Sequence, residues 1–246
     1  MNYDSTLKIY FDTEFTGLHK NTTLVSIGCV AATGEVFYAE ATDYDQNQVT
    51  DWLTENVLKK LLLHRHIVNH GCKIYHSSIV YDTPVVPDAD DAEKITLVRS
   101  NALTIGIYLN GWLKRLINKY PEYRVIQFVS DVCHYDFVLL IDLLSGNAMD
   151  LPDYISPVCR DINQDIVSYC GENSDASAFD RNREEIITDK DIGCPTSNFA
   201  NNENVLKHNA LYDAYAIRAI DVLCCIGNKK HKVDFDMDVM KLLCLP

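Results

Sequence analysis

Apolar side chains crowd three runs near the start of the chain, Leu7 to Phe15, Leu24 to Ala32 and Glu35 to Thr42. Each run is short and rich in β-branched or aromatic residues, which predicts strands. Ala-Thr-Gly at 32–34 supplies the turn between the last two, so the three form an antiparallel meander. From Asp51 to Leu63 the period changes: Trp52, Leu53, Val57, Leu58, Leu61 and Leu62 recur at helical spacing, with Asp51 placing negative charge in the first turn. An amphipathic helix is expected there.

The next stretch is punctuated. A β-like run from Lys73 to Tyr81 gives way to Pro84, Pro87 and an acidic Asp88-Ala89-Asp90-Asp91, which reads as a short strand or loop and an exposed turn. From Ile95 to Tyr120 apolar residues return at intervals of three and four, predicting one long helix stopped by Pro121. Arg124 to Val129 then reads as a buried strand and Tyr135 to Leu144 as a helix behind it. Residues 171–204 are rich in Asn, Asp, Ser and charge, with little to bury, and predict an irregular insertion. A strongly apolar helix follows from His208 to Ile226, then the basic Lys229-Lys230-His231-Lys232 and a short C-terminal helix. The sum is an α/β chain: one domain over 1–246 with insertions at about 64–93 and 171–204.

Composition narrows the partners. With 47% hydrophobic residues in 246, the chain can bury a sizeable core. No run reaches the roughly 18 apolar residues of a membrane span, and MNYDSTLKIY has no basic stretch followed by an apolar core, so a cytoplasmic protein without membrane contact is expected. Nine scattered cysteines suggest free thiols and not a disulfide framework. The net charge of −13 argues against a broad electrostatic footprint on nucleic acid. A polyanionic substrate would have to be short, metal-anchored or held by a local basic patch, and self-association as a homodimer stays open.

The strongest chemical signal closes the first run. Asp12-Thr13-Glu14 places two carboxylates at i and i+2, on one side of an extended chain. Like charges side by side are costly unless a cation compensates them, and hard divalent ions take oxygen ligands. A solvated strand end is the bland alternative, but Ile9, Tyr10 and Phe11 make the run apolar. A second signal is His208-Asn209-Ala210-Leu211-Tyr212-Asp213 at the opening of the late helix, ambiguous alone because a single His is usually structural and a single helical Asp usually solvated.

Together, FDTEFTGL, a strand–helix unit bearing an Asp, and HNALYDA resemble the three exonuclease motifs of DnaQ-like DEDDh nucleases. The resemblance spans most of the chain. It implies an RNase H-like fold, a mixed β-sheet flanked by helices with the antiparallel meander first, together with two divalent cations (Mg²⁺ or Mn²⁺) and hydrolysis from the 3′ end of single-stranded RNA or DNA to 5′-mononucleotides. Asp12 and Glu14 match the first motif's carboxylates, and Thr13, Phe15, Thr16, Gly17 and Leu18 its substrate-contacting stretch. In Asp131-Val132-Cys133-His134-Tyr135-Asp136 the second motif is matched with Asp131 where the family has Asn. Asp136 is then its carboxylate; a register slip would instead select Asp131, and Asp142 is a weaker rival. His208 and Asp213 match the general base and last carboxylate. The implied catalytic set is Asp12, Glu14, Asp136, His208 and Asp213, with the four carboxylates as metal ligands.

A non-catalytic nucleic-acid- or protein-binding relative of the same fold is the alternative reading. His64, His66, His70, Cys72 and His76 have spacings compatible with zinc, but match no defined zinc pattern and neighbour Lys59, Lys60 and Arg65. A basic surface is the simpler account of that cluster, as it is of Lys229 to Lys232.

Overall fold

The computed structural model describes residues 5–63, 79–81, 95–170 and 207–230. The expected meander is present as β1 (Thr6–Phe15), β2 (Leu24–Ala31) and β3 (Val36–Ala41), paired antiparallel in sequence. Two further strands add in parallel: β5 (Ile95–Ser100) beside β3, and β6 (Val125–Ser130) beside β1. Short β4 (Ile79–Tyr81) and β7 (Arg160–Asp161) close the two edges. The result is a seven-stranded mixed sheet in the order β4-β5-β3-β2-β1-β6-β7.

Alternation along β1 divides the core into two layers. Leu7, Ile9 and Phe11 face one side, where they join Ile27, Phe37, Ile126 and Phe128 against α2 (Ala102–Lys119) and α3 (His134–Leu144). Tyr10 faces the other, with Val30, Val36, Tyr38 and Val129, against α4 (Ile162–Cys170) and α5 (Ala210–Lys230). Helices therefore cover both faces, and β2 and β3 are buried along their whole lengths.

Two expectations need correction. The single helix expected from Ile95 to Tyr120 is a strand followed by a helix. Ile95-Thr96-Leu97-Val98 is β-branched at three of four positions and pairs with β3, while Asn101 caps α2 by accepting the amide of Thr104 at 2.9 Å. Leu97 and Val98 point to opposite core layers, which a strand permits. The expected helix over Asp51–Leu63 is also shorter: α1 covers Asp51–Asn56, capped by Thr50, and a 3-10 turn follows at Leu58–Lys60. The amide of Leu63 then donates to the buried Glu40 carboxylate at 2.7 Å, which ties the chain to β3, and after the break at Leu61 the described residues Leu62 and Leu63 are helical again.

The insertion expected at 171–204, the His64–His76 cluster, the turn expected at 82–91, and residues 231–246 with the C-terminal helix expected there lie outside the described residues. Cys29, Cys133, Cys159 and Cys224 are free thiols. Among the described residues, no helix is long and apolar enough to cross a membrane.

Candidate metal centre

Strand geometry places Asp12 and Glu14 on the α5 side of β1, as spacing i, i+2 requires. The strand changes register between Glu14 and Phe15, so pairing with β2 is interrupted just past the second carboxylate. Asp213 comes from the first turn of α5. Side-chain oxygens of Asp12, Glu14 and Asp213 all lie within 4.8 Å of one another.

A glycine sets how closely α5 can come. Gly28 on β2 pairs with Asp12, and a Cβ there would stand 2.4 Å from the carbonyl oxygen of Ala210 and 2.5 Å from the Cα of Leu211. Those are backbone atoms at the start of α5, so only a residue without a side chain admits the helix beside Asp12. The preceding segment is tied down as well. Asn209 caps α5, its Oδ1 accepting the amides of Leu211 and Tyr212 at 3.2 Å, while its Nδ2 donates to the carbonyl of Lys60 at 2.9 Å. In return Lys60 Nζ donates to the carbonyl of Lys207 at 2.6 Å.

His208 is held and not loosely tethered, and α5 begins two residues after it. Its amide donates to Asp213 Oδ2 at 3.0 Å, and its φ of 65° is left-handed, uncommon for a residue with a side chain. Its ring meets the indole of Trp52 edge-on, with centroids 5.3 Å apart and planes at 75°. Val132, in the turn between β6 and α3, is the other non-glycine residue with positive φ among the described residues, at 50°. Backbone strain of this kind costs on the order of 1–3 kcal/mol and concentrates at functional sites. Here it flanks Asp136 on one side and Asp213 on the other.

Asp136 lies in the first turn of α3, 6% exposed, beside β1 and outside the close trio. Its Oδ1 accepts the amide of Thr13 at 2.9 Å and the Thr13 hydroxyl at 2.6 Å. Burial nevertheless raises its pKa, with the two Thr13 bonds opposing. Asp131 is turned elsewhere, its Oδ1 accepting from Asn163 Nδ2 at the start of α4, and Asp142 is exposed on α3. Asp136 is thus bonded to Thr13, between the paired carboxylates of β1.

Electrostatics at Glu14 report the crowding. Burial, then the negative charges of Asp213 and Asp136, push its carboxyl up to about 8, against a lowering contribution from Lys60. Lys60, which the sequence marks as part of a basic stretch with Lys59 and Arg65, is thus a cation beside the site.

The stretch expected to contact substrate separates by role. Thr13 is 4% exposed and committed to Asp136. Thr16, 6% exposed, bonds Thr23 and Gln48, and the Gly17 amide donates to Thr22 Oγ1, so both brace the loop that follows β1. Phe15 stacks on Tyr135, with centroids 5.7 Å apart. Leu18 is 75% exposed and Trp52 56%, both on open surface. Sequence reasoning included Leu18 but took Trp52 as one more apolar position of a helix; its adjacency to Leu53, which is buried while Trp52 is not, is the signal that separates them. No protein-family model matches the chain, and a search of curated proteins finds no match.

Proposed function

We propose that the chain is a metal-dependent 3′→5′ exonuclease of the DnaQ-like DEDDh type, on an RNase H-like fold, acting on single-stranded RNA or DNA ends. One observation carries the reading: carboxylates from β1 and from the first turn of α5, far apart in sequence, converge within 4.8 Å. Such a group is stable only with protons or cations among its oxygens, and Glu14 is driven toward the protonated form. The donor set fits hard divalent ions such as Mg²⁺ or Mn²⁺, which Asp12, Glu14 and Asp213 would hold with Asp136 adding charge from alongside. When bound, two such ions supply Lewis-acid activation of water and neutralise charge at the leaving 3′-oxygen.

The protein's own groups do the rest. His208, as neutral imidazole, accepts the proton of the attacking water, a role worth on the order of 10²- to 10⁴-fold. Its position is fixed by the bond to Asp213 and by the Trp52 edge. Asp136 holds Thr13, and so sets how Asp12 and Glu14 are presented. The meander-first mixed sheet supports the same family reading. The test is purified protein with Mg²⁺ or Mn²⁺ on end-labelled RNA and DNA oligomers, with product analysis. Release of 5′-mononucleotides from the 3′ end is expected. Binding without cleavage under all metals would overturn the enzyme reading and leave a non-catalytic binder.

A further inference from the structure

Ser26, near the start of β2, is fully buried, and its Oγ has no hydrogen-bond partner among the described residues. An unpaired buried hydroxyl is costly, and most such groups in a folded protein are satisfied. Strand register says which way this one faces. Ser26 pairs with Glu14 of β1, and residues directly opposite on adjacent strands point to the same face. Gly28, two residues on, gives the same side, because a Cβ there would run into Ala210 and Leu211 of α5. Ser26 therefore shares the α5 face of the sheet with the carboxylate trio.

Its two cross-strand neighbours differ. On β3 it pairs with Glu40, whose carboxylate is already engaged. Glu40 Oε1 accepts the Tyr38 hydroxyl at 2.9 Å and the Leu63 amide at 2.7 Å, and its Oε2 lies 3.8 Å from Arg99 Nε. On β1, Glu14 accepts no hydrogen bond from any described residue, although Asp136 and Asp213 beside it both do. Opposed Cβ atoms on paired strands stand about 4.5–5.5 Å apart, a gap that the long Glu14 side chain spans by a change of rotamer.

We infer that Ser26 is a positioning residue of the metal centre, its hydroxyl donating to Glu14 when that carboxylate holds a divalent cation and so fixing the orientation in which Glu14 is presented. This rests on the metal-dependent reading above. A donor that holds a ligating carboxylate from behind is worth roughly 10- to 100-fold in metal affinity. Ser26 touches neither cation nor substrate in this arrangement, so its effect comes wholly through Glu14.

The test sets two effects of one substitution against each other. Ser26→Ala removes a hydroxyl that lacks a partner, so in chelator its Tm should equal or exceed that of the wild type. The same variant should bind Mn²⁺ with a Kd raised roughly 10- to 100-fold by titration calorimetry. A lower Tm in chelator with unchanged Mn²⁺ affinity would mean a purely structural hydroxyl and overturns the proposal. Made in Glu14→Ala, which removes the acceptor, Ser26→Ala should change the Kd by less than about twofold; an equal loss in both backgrounds overturns the route through Glu14. Ser130 supplies the control. Its Oγ is likewise buried and unpartnered, but it follows Val129 on β6 and so faces the α2–α3 layer. Ser130→Ala should leave the Kd within about twofold of wild type, and a loss equal to that of Ser26→Ala overturns the proposal. A wild type that binds no Mn²⁺ refutes the metal-centre reading and this proposal together, whereas wild-type binding that Ser26→Ala leaves intact overturns this proposal alone.

Discussion

Replacing Glu14 by Gln should make the cation-free protein more stable, not less. Glu14 is partly buried among Asp12, Asp213 and Asp136, and its pKa in the fold is pushed up to about 8. An unfolded Glu titrates near 4.3, and each unit of difference is worth about 1.4 kcal/mol. A group with a raised folded pKa contributes stability that is fully present below its unfolded value and is lost as pH rises through its folded value. At pH 7.5 the undiscounted loss is about 4 kcal/mol; partial solvent access halves it to about 2 kcal/mol. For a domain of this size that is a Tm difference of about 4–8 °C. The assay is thermal unfolding of wild type and Glu14→Gln in chelator from pH 4 to 8.5. The two curves should coincide near pH 4, part as pH rises to 8, and run level above it, with the variant the more stable. Added Mn²⁺ should reverse the order, because the cation binds the full carboxylate group better. A Glu14→Gln variant that is less stable than wild type in chelator at pH 7.5, with no dependence of the gap on pH, would refute the electrostatic account of the site.

Other consequences follow from the same geometry. Asp136→Ala should lower turnover on the order of 10²-fold more than Asp131→Ala, because it releases the Thr13 segment that presents Asp12 and Glu14; steady-state rates compare them, and an inverted ranking would show that Asp131 is the second-motif carboxylate. Gly28→Ala should lower Tm by about 2–12 °C, from about 1–3 kcal/mol of overpacking where its Cβ meets the α5 backbone, and should weaken Mn²⁺ binding with it; calorimetry showing wild-type values for both would contradict the close approach. With a net charge of −13, kcat/KM should level off at short oligomers and fall only shallowly with salt; efficiency that climbs to thirty nucleotides, with a slope of about −0.7 per contacted phosphate over many phosphates, would defeat that expectation.

Much of this was legible in the residues, for reasons of different strength. The meander could be read because Leu7 to Phe15 and its neighbours combine strand-forming residues with a turn at 32–34, and local preference and tertiary pairing agree there. β5 could not, since Ile95-Thr96-Leu97-Val98 continues the apolar spacing of α2, and pairing with β3 decides the matter from 54 residues or more away in sequence. Paired carboxylates at Asp12 and Glu14 announce themselves by spacing alone. The conformation of His208 does not, because its left-handed backbone is held by Asp213 and by a Trp52 contact 156 positions distant. Gly28 is equally silent in sequence, since what it avoids is the backbone of Ala210 and Leu211.

The central claim is that Asp12, Glu14 and Asp213 form a divalent-cation site that hydrolyses nucleic-acid ends. Its most direct test pairs Mn²⁺ titration calorimetry with product analysis on the same preparations of wild type and Asp12→Asn. That substitution removes a charge and almost no volume. Wild type should bind Mn²⁺ and release 5′-mononucleotides from a 3′ end, while Asp12→Asn stays folded, binds the cation weakly and releases none. Near wild-type cleavage by Asp12→Asn, with contaminating nuclease excluded, would contradict the claim.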